Sequence, residues 1–435
     1  MVCWLGGSSR FAQAETTSCG TSKSMVCWFG GSNGASCGDF FTNNKKMNGN
    51  STKIERKKVG VSACLLGEAC RYDGRSKPCA MVRDTLSKWV DFVPICPECE
   101  CGLGCPRVAM DLYRDEGSEE IRMTAKDGVE HAPQMREWIA RKLPELKDLA
   151  GFVLKARSPS CGLGDAKLNG GPECTDGLFA AALRREYPLM VLRNEESFAT
   201  EADCAAYVKE LEDVALLQRV ESCVRDLLAN SPACHDWDHT LRVWNNAKLI
   251  AAMTKAAHPE MPLDETLVSV AALMHDIGRP QELADQGKTN HAVYGAELCL
   301  KLLPTLGIQD DAYCAKVADC IRSHRFRKRE GNAEPASLEA KIVYDADKLD
   351  SIGAIGIGRS FHFAGRTGAR VHNRAEEALA SDSYSREDSA YREYLVKLRK
   401  IRERMLTDAG RQLAEKRHAF MVAFFEELNE ECFGA

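Results

Sequence analysis

The sequence predicts a two-part chain, a parallel α/β domain followed by an all-α domain, behind a disordered N-terminal tail. Three observations predict it. Between 58 and about 200, short β-type runs alternate with helical stretches, the pattern of a parallel sheet with crossover helices. From about 203 onward the apolar spacing is helical almost without a break. The 435 residues also exceed what one core usually serves, at roughly 100 to 200 residues per domain.

In chain order, residues 1–57 carry the repeat MVCWLGGSS (1–9) and MVCWFGGSN (25–33), then a Gly-, Ser- and Asn-rich stretch. Such a composition buries too little apolar area to offset chain entropy. Cys3, Cys19, Cys27 and Cys37 in this tail also suit a metal or a targeting peptide. In residues 58–200, KVGVSA, WVDFVPI, AGFVLKA and YPLMVLR read as buried strands, and APQMREWIARKLPELKDL as an amphipathic helix. The composition shift at NEESFATEAD sets the boundary near 195–205, and 201–435 forms the helical domain.

Composition narrows the function. A formal charge of -5 argues against a mainly electrostatic nucleic-acid or membrane binder. No run approaches the roughly 20 apolar residues of a membrane span, and the first thirty residues lack the pattern of a secretory signal. An intracellular, cytoplasmic protein is expected, and its 20 cysteines are then thiols or metal and cluster ligands rather than disulfides.

Cys64, Cys96 and Cys161 each lie just beyond the carboxyl end of a predicted strand, where an open parallel sheet forms its ligand crevice. Three thiolates there suit a metal or iron–sulfur centre with one position left open. On spacing alone, ordinary strand-end thiols are an equal alternative. CPECECGLGC, with Cys96, Cys99, Cys101 and Cys105, also has the short spacing of zinc sites but lacks a second pair downstream.

VSACLLGEACRYDGRSK, VPICPECECGLGCPR and LKARSPSCGLG resemble the three signature blocks of the domain of unknown function 523 family, which includes thiouracil desulfidases. The resemblance spans about 58–195. It implies a 4Fe–4S cluster on Cys64, Cys96 and Cys161, with one iron free to take sulfur from a thiolated base. By position, it makes Glu98 and Ser160 the proton-handling or substrate-contacting groups. Cys99, Cys101 and Cys105 depart from the usual small or apolar residues, as spectators, alternative ligands or sulfur acceptors.

In the helical half, VSVAALMHDIGRP reads as a buried helix capped by Asp264, with Leu267, Val270, Ala271 and Met274 on one face, and ended by Pro280. His275-Asp276 at its end is costly to bury without partners, and a divalent cation suits both. His239 and an aspartate of YDADKLDSIGAIGIGR complete an N/O ligand set for Mn²⁺, Fe²⁺, Zn²⁺ or Mg²⁺. His258, His362 and His418 read as ordinary core or surface residues.

The order His239, His275-Asp276, later aspartate resembles the H…HD…D signature of the HD phosphohydrolase superfamily, from about 215 to the C-terminus. The resemblance implies metal-assisted hydrolysis of a phosphate ester or anhydride, with Asp276 also catalytic and a small phosphorylated substrate, such as a nucleotide. Asp347 is the expected fourth ligand and Asp345 the fallback. His291 and His324 are expected to face substrate, or a second metal, around a mononuclear site. Arg279 and Lys348 suit phosphate oxygens, or else are solvated helix-end charges. Three functions follow: a bifunctional enzyme for modified nucleotides, an iron–sulfur sensor gating a hydrolase, or a hydrolase fused to a structural zinc module.

Overall fold

Apolar β-branched runs build the first half. The computed structural model describes residues 56–229, 237–325 and 334–434; the N-terminal repeat and its cysteines lie outside them. In chain order the strands are β1 (Lys57–Ser62), β2 (Val90–Ile95), the hairpin β3 (Met110–Arg114) and β4 (Ile121–Ala125), then β5 (Gly151–Leu154), the short pair β6 (Ala166–Lys167) and β7 (Cys174–Thr175), and β8 (Val191–Asn194). The helices among them are α1 (Pro97–Glu100), α2 (Ala132–Lys142) and α3 (Leu178–Glu186).

The main sheet has order β2-β1-β5-β8 with every pair parallel, and its members are the four runs read as strands. Parallel pairing needs crossovers, which place the carboxyl ends of β2, β1 and β5 side by side along one edge. Close approach explains two glycines. A Cβ on Gly60 would stand 2.2 Å from the Phe152 ring, and one on Gly151 would stand 2.4 Å from Tyr207 Oη. α2 stops at Lys142, short of the expected 149, because Pro144 follows and supplies no N–H to continue the ladder.

The second half is helical: α4 (Glu201–Leu228), α5 (Trp237–Ala257), α6 (Glu265–Met274), α7 (Arg279–Ala284), α8 (His291–Leu302), α9 (Asp311–Ser323), α10 (Leu338–Leu349), α11 (Gly353–Arg366), α12 (Ala375–Ala380), α13 (Ala390–Val396) and α14 (Asp408–Phe433). The apolar α6 is buried from Leu267 to Met274 and packs on α4, α5, α9 and α10. Asp264 caps it, accepting the Leu267 N–H at 2.9 Å. The helix ends at Met274, before Pro280. That proline sits in the first turn of α7, where a missing N–H costs nothing, and His275-Asp276 therefore occupy the turn between two helices. Among the described residues no helix is long and apolar enough to cross a membrane.

The halves share one helix. α4 begins with a Thr200–Asp203 capping box. Its Cys204, Tyr207 and Leu211 fill the core beneath β1, with Val59, Val61 and Phe198, whereas its Val220, Val224 and Leu228 belong to the helical core. The change of core therefore falls inside α4, beyond the composition shift at 195–205. A fragment 56–200 lacks Tyr207 and Leu211 and should be less stable than 56–218 by about 5 kcal/mol or more, at the sum of two large-to-small core losses. Urea unfolding checks this; equal midpoints would show that α4 is dispensable to the first core.

Candidate functional site

Five helical segments bring six metal-type donors together. α5 supplies His239, the α6–α7 turn His275 and Asp276, the first turn of α8 His291, the end of α9 His324, and α10 Asp347. The four imidazoles and Asp276 are buried, and Asp347 is partly so. Asp276 is the hub. Its Oδ2 lies 3.6 Å from His239 Nε2 and 3.7 Å from His275 Nε2. Its Oδ1 lies 3.5 Å from both His291 Nε2 and His324 Nε2. His239 Nε2 is also 3.2 Å from His275 Nε2 and 3.6 Å from Asp347 Oδ1. The donors form two groups, His239–His275–Asp347 and Asp276–His291–His324, each with its ligand atoms within 4.8 Å of one another.

The other ring nitrogens explain why these donors converge. His275 Nδ1 donates to the Ala272 carbonyl at 2.8 Å and His324 Nδ1 to the Ile321 carbonyl at 2.6 Å. His239 Nδ1 is 2.7 Å from Asp350 Oδ2, and His291 Nδ1 is 2.8 Å from Glu282 Oε2. Every Nδ1 is anchored, so each Nε2 turns inward, the orientation that metal-binding histidines take. His291 Nε2 is buried with no hydrogen-bond partner. A divalent cation fits this donor set.

Electrostatics agree. Burial pushes His275 down to about 4 and His291 down to about 3, so both are neutral at pH 7. Burial also disfavours the charged form of His239, but hydrogen bonds to Asp276 and Asp350 outweigh it and raise its pKa. Burial alone would raise Asp347; Lys348 and the imidazoles hold it well below the usual carboxylate range.

The expected phosphate-contacting cations are engaged rather than solvated. Arg279 Nε donates to Asp276 Oδ1 at 3.0 Å and its NH1 to Glu282 Oε2 at 2.7 Å. Lys348 pairs with Asp347 and donates to the His324 carbonyl at 2.8 Å. Asp345, the fallback ligand, lies elsewhere: it accepts the N–H groups of Leu406 and Thr407 at 2.9 and 2.8 Å and ties α10 to the start of α14. His258, His362 and His418 join neither donor group.

Two partners escaped the sequence reading. Asp350 is fully buried and accepts from Arg242 Nε at 2.7 Å and Arg359 NH1 at 2.6 Å while it orients His239. Its position three residues after Asp347 was the available signal. Glu282, on the turn after the His275-Asp276 pair, anchors His291 and also accepts from Arg325 at 3.2 Å. The hydrogen bond from His291 and the charges of Arg279 and Arg325 outweigh its burial and hold its pKa down at about 2.

In the first half, Cys64 follows β1, Cys96 caps α1 directly after β2, and Cys161 follows β5 through the loop 155–160. The structure brings these three ends to one edge. Glu98, buried on α1, accepts from Ser160 Oγ at 2.8 Å and from Arg107 Nε at 2.9 Å. The Ser158 hydroxyl accepts the Cys161 N–H at 3.2 Å. Cys70, not singled out in the sequence, accepts at its carbonyl from Cys96 Sγ at 3.6 Å and from Arg107 NH1 at 3.1 Å. Cys99 and Cys105 instead give their S–H groups to backbone carbonyls of residues 69–71, and Cys101 to the Glu98 carbonyl at 3.3 Å.

Burial pushes Cys161 up to about 12, and the adjacent Cys64 pushes Cys70 to about 12. Thiolates there need a compensating cation. Among the described residues no three cysteine sulfurs gather within 4.8 Å of one another, whereas a tetrahedral zinc thiolate, with Zn–S near 2.3 Å, needs sulfurs about 3.8 Å apart.

The fold and sites thus define an α/β thiol domain joined to a helical domain with a buried His/Asp metal-type centre. Comparison with known proteins agrees on both halves. Residues 59–195 match the 2-thiouracil desulfurase family model and residues 236–352 the HD domain model. The uncharacterized protein YpgQ of Bacillus subtilis is 33% identical over 228 residues, 52% of this chain and 97% of that protein. The chain belongs to the HD-domain family, with a 2-thiouracil desulfurase-like domain ahead of the HD domain. The crystal structure of Bacillus subtilis YpgQ in complex with ADP is similar at 29% identity, covering 51% of this chain and 97% of that one with a TM-score of 0.39. The 4Fe–4S-dependent thiouracil desulfidase TudS is similar at 27% identity, covering 35% and 99%, with a TM-score of 0.29.

Asp350→Asn removes the charge that orients His239 without touching a donor atom. It should weaken Mn²⁺ binding about 10- to 100-fold, the usual effect of losing such a partner, with the helical circular dichroism retained. Calorimetric titration measures this, and an affinity unchanged within about twofold would deny Asp350 the role.

Proposed function

We propose that the helical half hydrolyses a phosphate ester or anhydride of a nucleotide. The α/β half, on this reading, carries a 4Fe–4S cluster on Cys64, Cys96 and Cys161 and takes sulfur from thiolated bases. The observation that carries the first reading is the buried Asp276 carboxylate shared between two sets of inward-turned imidazoles. His239, His275, Asp276 and Asp347 would hold the first divalent cation, with Mn²⁺, Mg²⁺, Fe²⁺ and Zn²⁺ as candidates. When bound, such a cation supplies Lewis acidity toward a water and a phosphoryl oxygen.

The protein's own groups do the rest. Asp276 orients the attacking water and accepts its proton. His291 and His324, on the Oδ1 side of Asp276, receive either a phosphate oxygen or a second cation. Arg279 and Lys348, already beside Asp276 and Asp347, offset the charge that develops on the transferred phosphoryl group.

In the thiol half, Cys64, Cys96 and Cys161 would hold the cluster, which would supply an acceptor for the departing sulfur. Glu98 and Ser160, joined at 2.8 Å, hand a proton to or from the base. Support comes from three adjacent strand ends with one cysteine each and from the family match over 59–195. A cytoplasmic protein acting on small molecules is the matching context. The shared helix α4 favours a second reading, in which the cluster half gates the hydrolase.

The test screens nucleoside mono-, di- and triphosphates with Mn²⁺, Mg²⁺ and Fe²⁺, beside release of sulfide from 2-thiouracil by the anaerobic, iron-loaded chain. Asp276→Ala should lower every metal-dependent hydrolysis at least about 100-fold, as loss of a shared catalytic centre does, and leave sulfide release intact. Hydrolysis that survives Asp276→Ala would remove the first reading. Iron retained when Cys64, Cys96 and Cys161 are each replaced by Ala would remove the cluster assignment.

A further inference from the structure

The two oxygens of the buried Glu98 carboxylate receive different partners. Oε1 accepts the Ser160 hydroxyl at 2.8 Å and faces the Ser158 hydroxyl at 3.5 Å. Oε2 accepts Arg107 Nε at 2.9 Å together with the neighbouring Nη2. The Arg107 side chain is only 7% exposed, as deep as the 11% of its partner. A carboxylate at that depth needs a counter-charge, and a guanidinium supplies one with N–H groups in a fixed planar fork. The fork is anchored independently of Glu98. Nη1 donates to the Gly104 carbonyl at 2.9 Å and to the Cys70 carbonyl at 3.1 Å, and the main-chain N–H of Arg107 donates to the Tyr72 carbonyl at 2.9 Å. Cys99 and Cys105 fasten the same segment through S–H bonds to the carbonyls of Ala69, Cys70 and Arg71. The guanidinium is thus set by the surrounding loops, and the orientation of Glu98 follows from it.

We propose that Arg107 is a positioning residue for desulfuration: it holds Glu98 by Oε2, so that Oε1 alone faces Ser160 and carries the proton. The inference rests on the reading of Glu98 and Ser160 given above. The net reaction is a hydrolysis. The oxygen of water replaces sulfur on the carbon of the thiolated base, and both protons of the water leave with the sulfide as hydrogen sulfide. No electrons are exchanged, so no oxidant or reductant is needed. Oε1 takes a proton from the attacking water and returns it, through the Ser160 hydroxyl, toward the departing sulfur. The terminal torsion of a glutamate is broad and roughly two-fold, so an untethered carboxylate would offer either oxygen at varying angles. Arg107 removes that freedom, and it acts through Glu98 rather than on the base.

The experiment uses the full chain as wild type, Arg107→Met, Arg107→Lys, Glu98→Gln and the double variant Glu98→Gln/Arg107→Met. Arg122→Met, at an exposed ion pair with Asp115, is the control and should match wild type. Sulfide release from 2-thiouracil by the anaerobic, iron-loaded chain gives kcat and KM. Iron per chain is recorded, and thermal unfolding of the iron-free chain is followed by circular dichroism. Arg107→Met should lower kcat about 100-fold, the scale of a slightly misplaced catalytic group, with KM within about threefold of wild type. Arg107→Lys, which keeps the charge without the fork, should recover part of that loss. In the Glu98→Gln background the Met substitution should cost less than about threefold, because the group it positions is already gone. Iron-free Arg107→Met should melt below both wild type and the double variant, since it alone leaves a buried carboxylate without its counter-charge. Equal kcat losses from Arg107→Met in the two backgrounds would overturn the proposal, as would loss of iron from Arg107→Met or melting points that add independently. If Arg107→Met does not fold, Arg107→Lys carries the comparison, and an unchanged kcat there would overturn it. No sulfide release by iron-loaded wild type would remove the reading of Glu98 and Ser160, and the proposal with it.

Discussion

The Asp276 carboxylate, sunk among four imidazoles, is the constraint around which the helical half is arranged. A buried charge is tolerated only when its surroundings answer it. Here every answering group is fixed in turn: His239 by Asp350, His291 by Glu282, His275 and His324 by carbonyls of their own helices. Asp350 and Glu282 are themselves buried and balanced by arginines, Arg242 and Arg359 on one side and Arg279 and Arg325 on the other. The shell alternates in sign outward from the donors. The same logic explains why α6 is almost wholly apolar, since a helix with no polar face of its own leaves the next turn, His275-Asp276, as its point of contact with the centre.

The α/β half solves a similar problem with a different scaffold. A parallel sheet sends consecutive carboxyl ends to one edge, so residues far apart in sequence reach one place without long loops. Neighbouring Cys64 raises the pKa of Cys70 and burial raises that of Cys161, so neither is suited to stand alone as a thiolate. α4 contributes Tyr207 to one core and Val224 to the other, so a single helix runs from the sheet's underside to α6, the helix that ends at the metal-type centre.

Much of this was legible in the sequence because it depends on periodicity and order. The four strands, the apolar α6 with its Asp264 cap, and the run His239, His275-Asp276, Asp347 could all be read from spacing and resemblance. Partner choice in three dimensions was hidden. Nothing in the chain order shows that Asp345 turns toward Thr407 while Asp347, two residues on, turns inward, although a helix sends such positions about 200° apart. Arg279 and Lys348 read as phosphate-contacting groups or solvated helix-end charges, and their ion pairs with Asp276, Glu282 and Asp347 were not read from the sequence. The reach of α4 into the first core was invisible for another reason: composition changes where helices begin, whereas a core ends where side chains stop touching.

The account turns on Asp276 serving both donor groups at once, and Mn²⁺ binding tests it most directly. Free Mn²⁺ can be followed by electron paramagnetic resonance during titration of the full chain, wild type against Asp276→Asn, with Asp345→Asn as the comparison two residues from a ligand. The expected result is tight uptake by wild type and Asp345→Asn and none by Asp276→Asn. Tight uptake retained in Asp276→Asn, or lost in Asp345→Asn while its fold persists, would contradict the account.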